Sequence, residues 1–333
     1  MTKLAAIIGD GAMGTLSAML LSSRGIKVRL WSAFEDQAAA MQRERENVRF
    51  LPGFPLPDGL RVSTDAAEVT KGADLVVIAV PTRHLRGVLL RIKDALGPGP
   101  AYVSVVKGIE TRTLLRPSEV LADVLGRRPL AVLSGPCLSQ EVAAGLPATV
   151  VAASQEAATS ALAQHAFTTP SFRVYTSHDV IGTELGGAIK NVIAIAAGIC
   201  DGLSLGSNAK AALVTRGLVE MTRLGVALGA QRETFTGLAG LGDLVTTCAS
   251  GLSRNHRVGE EIGQGKGLQD VLDEMGRVEA EGVETTRSVM ALAERHGVEM
   301  PITQEVYAVL FRGKPAPDAL SDLMSRRPKA EKE

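Results

Sequence analysis

Short apolar runs alternate with helix-like stretches over the first 180 residues. The runs lie at residues 3–8, 26–31, 75–80, 101–106, 130–133, 149–152 and 172–175. The run at 75–80 is apolar throughout, which is typical of a strand that is buried on both faces. Strands that alternate with helices predict a parallel, doubly wound sheet, with a ligand crevice at the carboxyl ends of its strands.

The pattern changes near residue 181, where helical stretches follow one another without a competing strand run. We predict helices at 183–201, 208–228, 258–264, 268–274 and 285–296. A chain of 333 residues exceeds the size at which one hydrophobic core keeps growing, so two domains are expected. The predicted domains are residues 1–180 and an all-α domain over residues 181–333.

The first apolar run ends in the pattern G-x-G-x-x-G, formed by Gly9, Gly11 and Gly14, and opens directly into a helical pattern. Gly9 permits a tight turn, Gly11 lets the backbone approach a pyrophosphate, and Gly14 lets helix and strand pack closely. The strand before and the helix after favour a dinucleotide-binding unit over an ordinary strand-to-helix turn. The predicted fold is therefore α/β, with an N-terminal Rossmann-like doubly wound parallel sheet followed by an all-α C-terminal domain.

The composition of the chain argues against several kinds of partner and bound group. The 36 basic residues balance the 36 acidic ones and only 3% of residues are aromatic, so neither a basic patch nor stacking platforms indicate nucleic acid. The three cysteines are widely spaced, which argues against a disulfide framework. The five histidines have no metal-ligand spacing, and we predict no metal.

We also expect no membrane span. The start of the chain has no signal-peptide pattern. The most apolar helical stretch, 188–200, is shorter than a bilayer requires and carries Lys190 and Asn191. These features predict a cytoplasmic protein.

Four polar segments stand where a packing role is hard to supply. Lys107 follows a predicted strand, Gly135 lies in a Gly-Pro turn after the next one, and Lys190 and Asn191 interrupt an apolar helix. Burial would depress the pKa of a lysine there toward the working pH, which suits an acid or base. Each segment also has an ordinary alternative, such as a surface lysine or a simple turn.

The fourth segment combines a carboxylate with a candidate phosphate site. Asp243 is a possible partner for a buried lysine, and the run Ser253, Arg254 and Asn255 offers a forked guanidinium beside two short hydrogen-bonding side chains. Taken alone, that run is equally compatible with a helix start that carries an exposed arginine. Cys137 has no nearby histidine in sequence, and we favour a packing role over a nucleophilic one.

Together these segments resemble the NAD(P)-dependent glycerol-3-phosphate dehydrogenases of the bacterial type. The resemblance covers nearly the whole chain. It is carried by E-N-V-R-F-L-P-G at 46–53, V-P-T at 80–82, V-K-G at 106–108, S-G-P at 134–136, L-G-G-A-I-K-N-V at 185–192, G-L-G-D-L at 240–244 and S-R-N at 253–255.

The resemblance implies hydride transfer between nicotinamide C4 and C2 of glycerol 3-phosphate, a supply of that compound for phospholipid synthesis, and a homodimer. It implies that Lys190 is the acid/base residue, with Lys107 and Asp243 beside it. The implied substrate contacts are Lys107, Gly135, Cys137, Lys190, Asp243, Ser253, Arg254 and Asn255. The cofactor-binding set, from the glycine turn and the resemblance together, is Gly9, Gly11, Ala12, Met13, Gly14, Phe34, Glu35, Pro81, Lys107, Ser139, Arg254, Glu279 and Glu281.

Three departures from the family pattern bear on the cofactor and substrate. Ala12 and Met13 replace a serine and an aromatic residue of the glycine turn, and Cys137 stands where serine or threonine is common. After the second strand, Ala33 and Phe34 replace a basic pair that grips the 2′-phosphate in many relatives, and Glu35 follows. An acid there can accept a hydrogen bond from the ribose 2′-hydroxyl and repel a 2′-phosphate. We therefore expect the protein to use NAD or NADP, with a preference for NADH over NADPH.

Two other functions remain open from the sequence. A dehydrogenase of the same two-domain plan could act on a different β-hydroxy acid, although the Ser253–Arg254–Asn255 run favours a phosphorylated substrate. A catalytically silent protein that senses NAD(H) or binds a partner is the second, although the presence of Lys107, Lys190 and Asp243 argues against it.

Overall fold

The N-terminal half is built on an eight-stranded sheet. The computed structural model describes residues 2–276, 280–328 and 330–331. The strands are β1 (Leu4–Ile8), β2 (Lys27–Trp31), β3 (Glu46–Asn47), β4 (Leu51–Pro55), β5 (Arg61–Ser63), β6 (Leu75–Ile78), β7 (Ala101–Ser104), β8 (Leu130–Ser134), β9 (Ala148–Ala153) and β10 (Phe172–Ser177). The strand order in the sheet is β10-β9-β8-β7-β6-β1-β2-β5, and β3 pairs with β4 in a separate hairpin.

The helices cover both faces of this sheet and then form the second half of the chain. They are α1 (Ala12–Ser23), α2 (Glu35–Glu44), α3 (Ala66–Thr70), α4 (Thr82–Ile92), α5 (Pro117–Leu125), α6 (Ser139–Ala143), α7 (Ala157–Phe167), α8 (Val180–Gly202), α9 (Gly206–Ala227), α10 (Arg232–Thr236), α11 (Asp243–Ala249), α12 (Arg254–Gly263), α13 (Leu268–Met275), α14 (Glu281–His296), α15 (Pro301–Arg312) and α16 (Ala316–Met324). A 3₁₀ turn follows α4 and a π-helical turn over Leu238–Gly242 precedes α11.

The predicted parallel sheet is confirmed, except for one antiparallel pairing near its edge. β8 and β9 pair antiparallel, so β9 and its parallel neighbour β10 run opposite to the other strands. The connection from β8 to β9 spans only residues 135–147, and its helix, α6, has five residues. A five-residue helix is about 7.5 Å long, less than half the length of the five-residue strand β8, so it does not return the chain to the start of that strand. The chain therefore enters β9 at the same edge at which β8 ends.

The predicted burial on both faces of the strand at 75–80 is confirmed in β6. Leu75 and Val77 belong to one hydrophobic core, whereas Val76 and Ile78 belong to another on the opposite face. Successive side chains of a strand alternate between faces, so a strand that is apolar throughout contributes to two cores at once.

A third core fills the helical half around α8. Its residues from Gly182 to Cys200 are all buried. α8 and α12 cross at glycines, because a Cβ on Gly198 would lie 1.9 Å from the carbonyl oxygen of His256, and one on Gly259 would lie 1.9 Å from that of Ile195. Only glycine allows two helix backbones to approach so closely.

The apolar stretch at 188–200 lies in a helix that is slightly longer than the predicted 183–201, and the expectation that it is too short to cross a membrane is wrong for the whole helix. α8 has 23 residues, so it is long and apolar enough to cross a membrane, but 89% of its apolar window is buried inside the fold. Burial by α9, α11, α12 and α14 explains its composition as that of a core helix.

Sequence patterning misses several short or polar elements. The pattern does not predict three strands and four helices, namely β3, β4, β5, α10, α11, α15 and α16. Two further helices, α12 and α14, begin four residues before their predicted starts of 258 and 285. The last strand ends at Ser177 and α8 begins at Val180. The division into domains at residue 180 stays a prediction.

Candidate active site

The glycine turn between β1 and α1 has the geometry that its sequence predicts. Gly9 has φ +113°, and a Cβ there would lie 2.6 Å from the carbonyl oxygen of Ala79. A Cβ on Gly14 would lie 2.0 Å from the carbonyl oxygen of Gly9. Side chains at these two positions would push α1 away from the sheet.

The start of α1 is open to an anion. Gly11 is the N-cap, no side chain caps the helix, and the first turn carries no acidic residue. A Cβ on Gly11 would meet nothing within 4 Å. Free backbone N–H groups at a helix N-terminus, together with the helix dipole, suit the pyrophosphate of a dinucleotide. The residues present therefore fit such a cofactor.

A cavity of about 1020 Å³ joins this turn to the helical half of the chain. Of the predicted residues, it is lined by Gly9, Gly11, Ala12, Met13, Phe34, Pro81, Lys107, Cys137, Ser139, Lys190, Asp243, Ser253, Arg254, Asn255 and Glu281. Gly14 and Gly135 are not among its lining residues, and Glu35 lines a smaller neighbouring cavity. Glu279 lies outside the described residues.

Asp243 lies between two lysines at the inner end of this cavity. Lys190 Nζ is 2.9 Å from Asp243 Oδ1, and Lys107 Nζ donates to Asp243 Oδ2 at 2.6 Å. Asp243 is only 2% exposed. Burial alone would raise the pKa of this carboxyl, but the two neighbouring ammonium groups bring it below its usual value. A single carboxylate therefore holds two cations and leaves an excess of positive charge.

Lys190 projects from the buried helix α8 and is the more deeply placed of the two lysines. Its Nζ donates to Thr247 Oγ1 at 2.6 Å, and Thr247 in turn donates to the backbone oxygen of Asp243. Burial, and then the charge of Lys107, lower the pKa of Lys190, while Asp243 acts in the opposite direction. An ammonium group that is buried and has a lowered pKa is suited to give up a proton.

Adjacent glycines on α8 let the helix approach the sheet at this point. A Cβ on Gly187 would lie 2.6 Å from Ser134 Oγ at the end of β8, and one on Gly186 would lie 2.4 Å from the carbonyl oxygen of Ala239. Lys107 also donates to the carbonyl oxygen of Gly135 at 3.0 Å. The carbonyl oxygen of Gly135 therefore positions the Lys107 ammonium group, and Gly135 itself does not line the cavity.

The start of α12 forms another part of the wall. Ser253 is its N-cap and accepts from the backbone N–H of His256 at 3.2 Å, while Asn255 Oδ1 accepts from the N–H of Gly282 at 2.9 Å. Arg254 is exposed, and its guanidinium has no hydrogen bond or ion pair within the described parts of the chain. Ser253 and Asn255 thus shape the helix start, and Arg254 is available to an anion.

Met13, Ser139 and Cys137 meet where α1 faces the loop after β8. Ser139 Oγ lies 3.2 Å from the sulfur of Met13. Burial raises the pKa of the Cys137 thiol to about 11, so it stays protonated at neutral pH. All three cysteines are free thiols.

Glu281, Pro81 and Thr82 connect the helical half to the sheet. Glu281 accepts a hydrogen bond from the backbone N–H of Thr82 at 3.2 Å, and Pro81 is the N-cap residue of α4. The start of α14 is therefore held against the start of α4, beside the cavity.

Several residues near the carboxyl end of β2 belong to the site although the sequence pattern does not indicate them. Asp10, Arg49 and Arg91 line the large cavity, and the guanidinium of Arg91 lies 4.8 Å from the ring centre of Trp31. Asp10 stands inside the glycine turn and Arg49 inside the segment 46–53, so both lay within noted motifs. Arg91, on α4, carried no local signal.

Comparison with known proteins assigns the family. The family description "NAD-dependent glycerol-3-phosphate dehydrogenase N-terminus" matches residues 4–160, and the corresponding C-terminus matches residues 179–321. The chain belongs to the NAD-dependent glycerol-3-phosphate dehydrogenase family. Among the described residues, no group of three or more His, Cys, Asp or Glu could hold a metal ion.

Individual relatives are similar to this chain over nearly its whole length. A glycerol-3-phosphate dehydrogenase [NAD(P)+] of Geobacter sulfurreducens is 50% identical over 335 residues, covering 100% of both chains. One from Streptomyces avermitilis is 48% identical over 330 residues and 98% of both. The crystal structure of glycerol-3-phosphate dehydrogenase from Coxiella burnetii superposes with a TM-score of 0.94 at 41% identity, covering 97% of this chain and 99% of that one.

Proposed function

We propose that this protein is an NAD(P)-dependent glycerol-3-phosphate dehydrogenase that interconverts dihydroxyacetone phosphate and sn-glycerol 3-phosphate. Relatives that carry this name are about 50% identical to the chain over nearly its full length, which supports the activity. The product is a building block of phospholipids, which fits a biosynthetic role. The observation that carries the proposal is the cluster of Lys190, Asp243 and Lys107 in one cavity with Arg254.

The side chains of the protein move the proton in this reaction, and a bound reduced nicotinamide supplies the hydride. Lys190 donates a proton to the C2 oxygen of the ketone, and in the reverse direction its neutral amine removes a proton from the C2 hydroxyl. Lys107 is paired with the other oxygen of Asp243, and the excess positive charge of the cluster stabilises negative charge that develops on the C2 oxygen.

Arg254 and the start of α12 bind the phosphate of the substrate in this proposal. The guanidinium makes charge-assisted, forked hydrogen bonds with phosphate oxygens, and the first N–H groups of α12 point toward the same anion. The arrangement favours a phosphorylated substrate over the β-hydroxy acids that the sequence left open.

The cofactor set is proposed in the same terms. The glycine turn, with Gly9, Gly11 and the start of α1, holds the pyrophosphate, while Met13, Phe34, Pro81 and Ser139 line the walls around it. We also propose a homodimer and a cytoplasmic location, which the family resemblance supports. Light scattering of the purified protein measures the oligomeric state directly.

The activity is tested by product identification. Dihydroxyacetone phosphate and NADH are incubated with the protein, and the phosphorus NMR spectrum is compared with that of authentic glycerol 3-phosphate. We expect one equivalent of product for each NADH consumed. Consumption of NADH with a non-phosphorylated β-keto acid, and none with dihydroxyacetone phosphate, would favour the rival dehydrogenase. Binding of NADH without turnover of either compound would favour the sensor.

A further inference from the structure

Two acidic side chains lie near the carboxyl end of β2. Asp10, in the glycine turn, is 8% exposed and lines the large cavity together with Trp31, Ala33 and Phe34. Glu35, the first residue of α2, lines the smaller cavity next to it. In dinucleotide-binding folds, an acid at this end of β2 accepts a hydrogen bond from the ribose 2′-hydroxyl. Only one of these two residues borders the space into which the glycine turn opens.

Asp10 is held at the end of β2 by its side chain and by its backbone. Ser32, directly after β2, donates to Asp10 Oδ2 at 2.7 Å. Asn47 Nδ2 donates to the backbone oxygen of Asp10 and to Thr15 Oγ1, both at 2.7 Å. Asn47 is itself fully buried and accepts from Gln37. These contacts fix the position of the Asp10 carboxylate relative to the glycine turn.

The carboxylate of Asp10 has capacity for a further donor. Within the described parts of the chain, Ser32 is the only other residue whose side chain donates a hydrogen bond to it. Burial raises the pKa of Asp10, while the Ser32 hydroxyl, the backbone amide of Asp10 itself and the charge of Arg49 act against this. A partly desolvated carboxylate is stabilised by an additional hydroxyl donor.

We propose that Asp10, rather than Glu35, accepts a hydrogen bond from the ribose 2′-hydroxyl of the dinucleotide and so sets a preference for NADH over NADPH. This inference rests on the proposed function only in requiring that the cavity binds a nicotinamide dinucleotide. The negative charge of Asp10 repels a 2′-phosphate at the same place. Arg49 and Arg91 line the cavity nearby, so a 2′-phosphate gains cationic partners once the charge of Asp10 is removed.

The test measures binding without turnover. Trp31 is the only tryptophan, and it lines the cavity, so its fluorescence reports cofactor occupancy directly. NADH and NADPH are titrated separately against wild type, Asp10→Asn and Glu35→Gln, with substrate omitted. Asp58→Asn, at an exposed residue that lines neither cavity, controls for loss of a negative charge.

We expect Asp10→Asn to lower the ratio of the NADPH to the NADH dissociation constant at least about fivefold, since it removes a charge-assisted hydrogen bond and a repulsion. Glu35→Gln and Asp58→Asn should leave this ratio within about twofold of wild type. An unchanged ratio in Asp10→Asn, or a larger shift in Glu35→Gln, would overturn the proposal. If Asp10→Asn does not fold, Ser32→Ala, which releases the carboxylate, should shift the ratio in the same direction by less, and no shift there would also overturn it.

These titrations separate the inference from the proposed function. Because they contain no dihydroxyacetone phosphate, their outcome is independent of turnover. A protein that binds both dinucleotides but never oxidises NADH with this substrate would contradict the proposed activity and leave the Asp10 result standing.

Discussion

Lys190 Nζ lies 2.9 Å from Asp243 Oδ1, although the two residues belong to different helices, α8 and α11. The other oxygen of the same carboxylate accepts from Lys107, which follows β7 in the sheet. One carboxylate therefore connects the sheet to the helical half at the inner end of the cavity. It also keeps a buried ammonium group positioned without neutralising the cluster.

Replacement of Lys190 tests the proton donor. Lys190→Ala should lower the turnover of dihydroxyacetone phosphate by at least about a hundredfold, in the range typical of a lost general acid. Lys190→Arg should also be slow, because a guanidinium keeps the charge but does not release a proton. NADH binding, followed through Trp31 fluorescence, should persist in both variants.

An exposed lysine provides the control for this experiment. Lys71→Ala changes a residue after α3 that does not line the cavity. It should turn over substrate at the wild-type rate. Turnover in Lys190→Ala within about threefold of Lys71→Ala would remove Lys190 from the mechanism.

The pH dependence follows from the lowered pKa of Lys190. Reduction of the ketone requires the ammonium form, so its rate should fall as pH rises through this pKa, below the ordinary lysine value of 10.5. Oxidation of glycerol 3-phosphate requires the neutral amine, so its rate should rise over the same interval. Steady-state rates measured in both directions across the alkaline range check this, and a reduction rate that stays flat up to about 10.5 would contradict it.

Replacement of Arg254 tests the phosphate site. Arg254→Ala should raise the KM for dihydroxyacetone phosphate on the order of tenfold to a hundredfold, because a charge-assisted hydrogen bond is lost, and should raise the KM for NADH far less. Arg257→Ala is the matched control, since Arg257 is on the same helix but pairs with Glu261 away from the cavity. Equal increases in both KM values would place Arg254 on the cofactor instead.

The crossing of α8 and α12 sets a stability prediction. A Cβ at position 198 would lie 1.9 Å from a backbone oxygen of α12, so Gly198→Ala should destabilise the fold by at least about 2 kcal/mol and lower the midpoint of thermal unfolding. Gly87→Ala is the control, because a Cβ at this helical position meets nothing within 4 Å. A Gly198→Ala protein as stable as wild type would show that the two helices can separate without cost.

Local patterns predicted the parts of the site that depend on neighbouring residues. The turn at Gly9 and Gly14 follows from backbone sterics within one strand–helix unit, and the burial of Lys190 follows from the apolar face of its own helix. The pairing of Lys107 with Asp243 joins residues 136 positions apart, and only the family resemblance placed them together. The stacking of Arg91 on Trp31 joins α4 to β2 and depends on how α4 packs, which no local pattern encodes.

Two further features depend on tertiary structure that a local pattern does not encode. The reversal of β9 depends on the short helix α6 after Ser134, and each strand alone has the same apolar pattern in either direction. Glu35 has the expected spacing from the glycine turn, but α2 begins at that residue and places it beside the smaller cavity. Asp10, which we propose for the role that the sequence suggested for Glu35, is held near the end of β2 by Ser32, a residue 22 positions away.

The most direct test of the proposed activity compares two substrates that differ only in the phosphate. Oxidation of NADH is followed by its absorbance after addition of dihydroxyacetone phosphate or dihydroxyacetone, with wild type and Arg254→Ala. We predict rapid oxidation by the wild type with dihydroxyacetone phosphate, much slower oxidation with dihydroxyacetone, and a strong loss of this discrimination in Arg254→Ala. Equal rates of the wild type with both ketones, or no oxidation with dihydroxyacetone phosphate, would contradict the account.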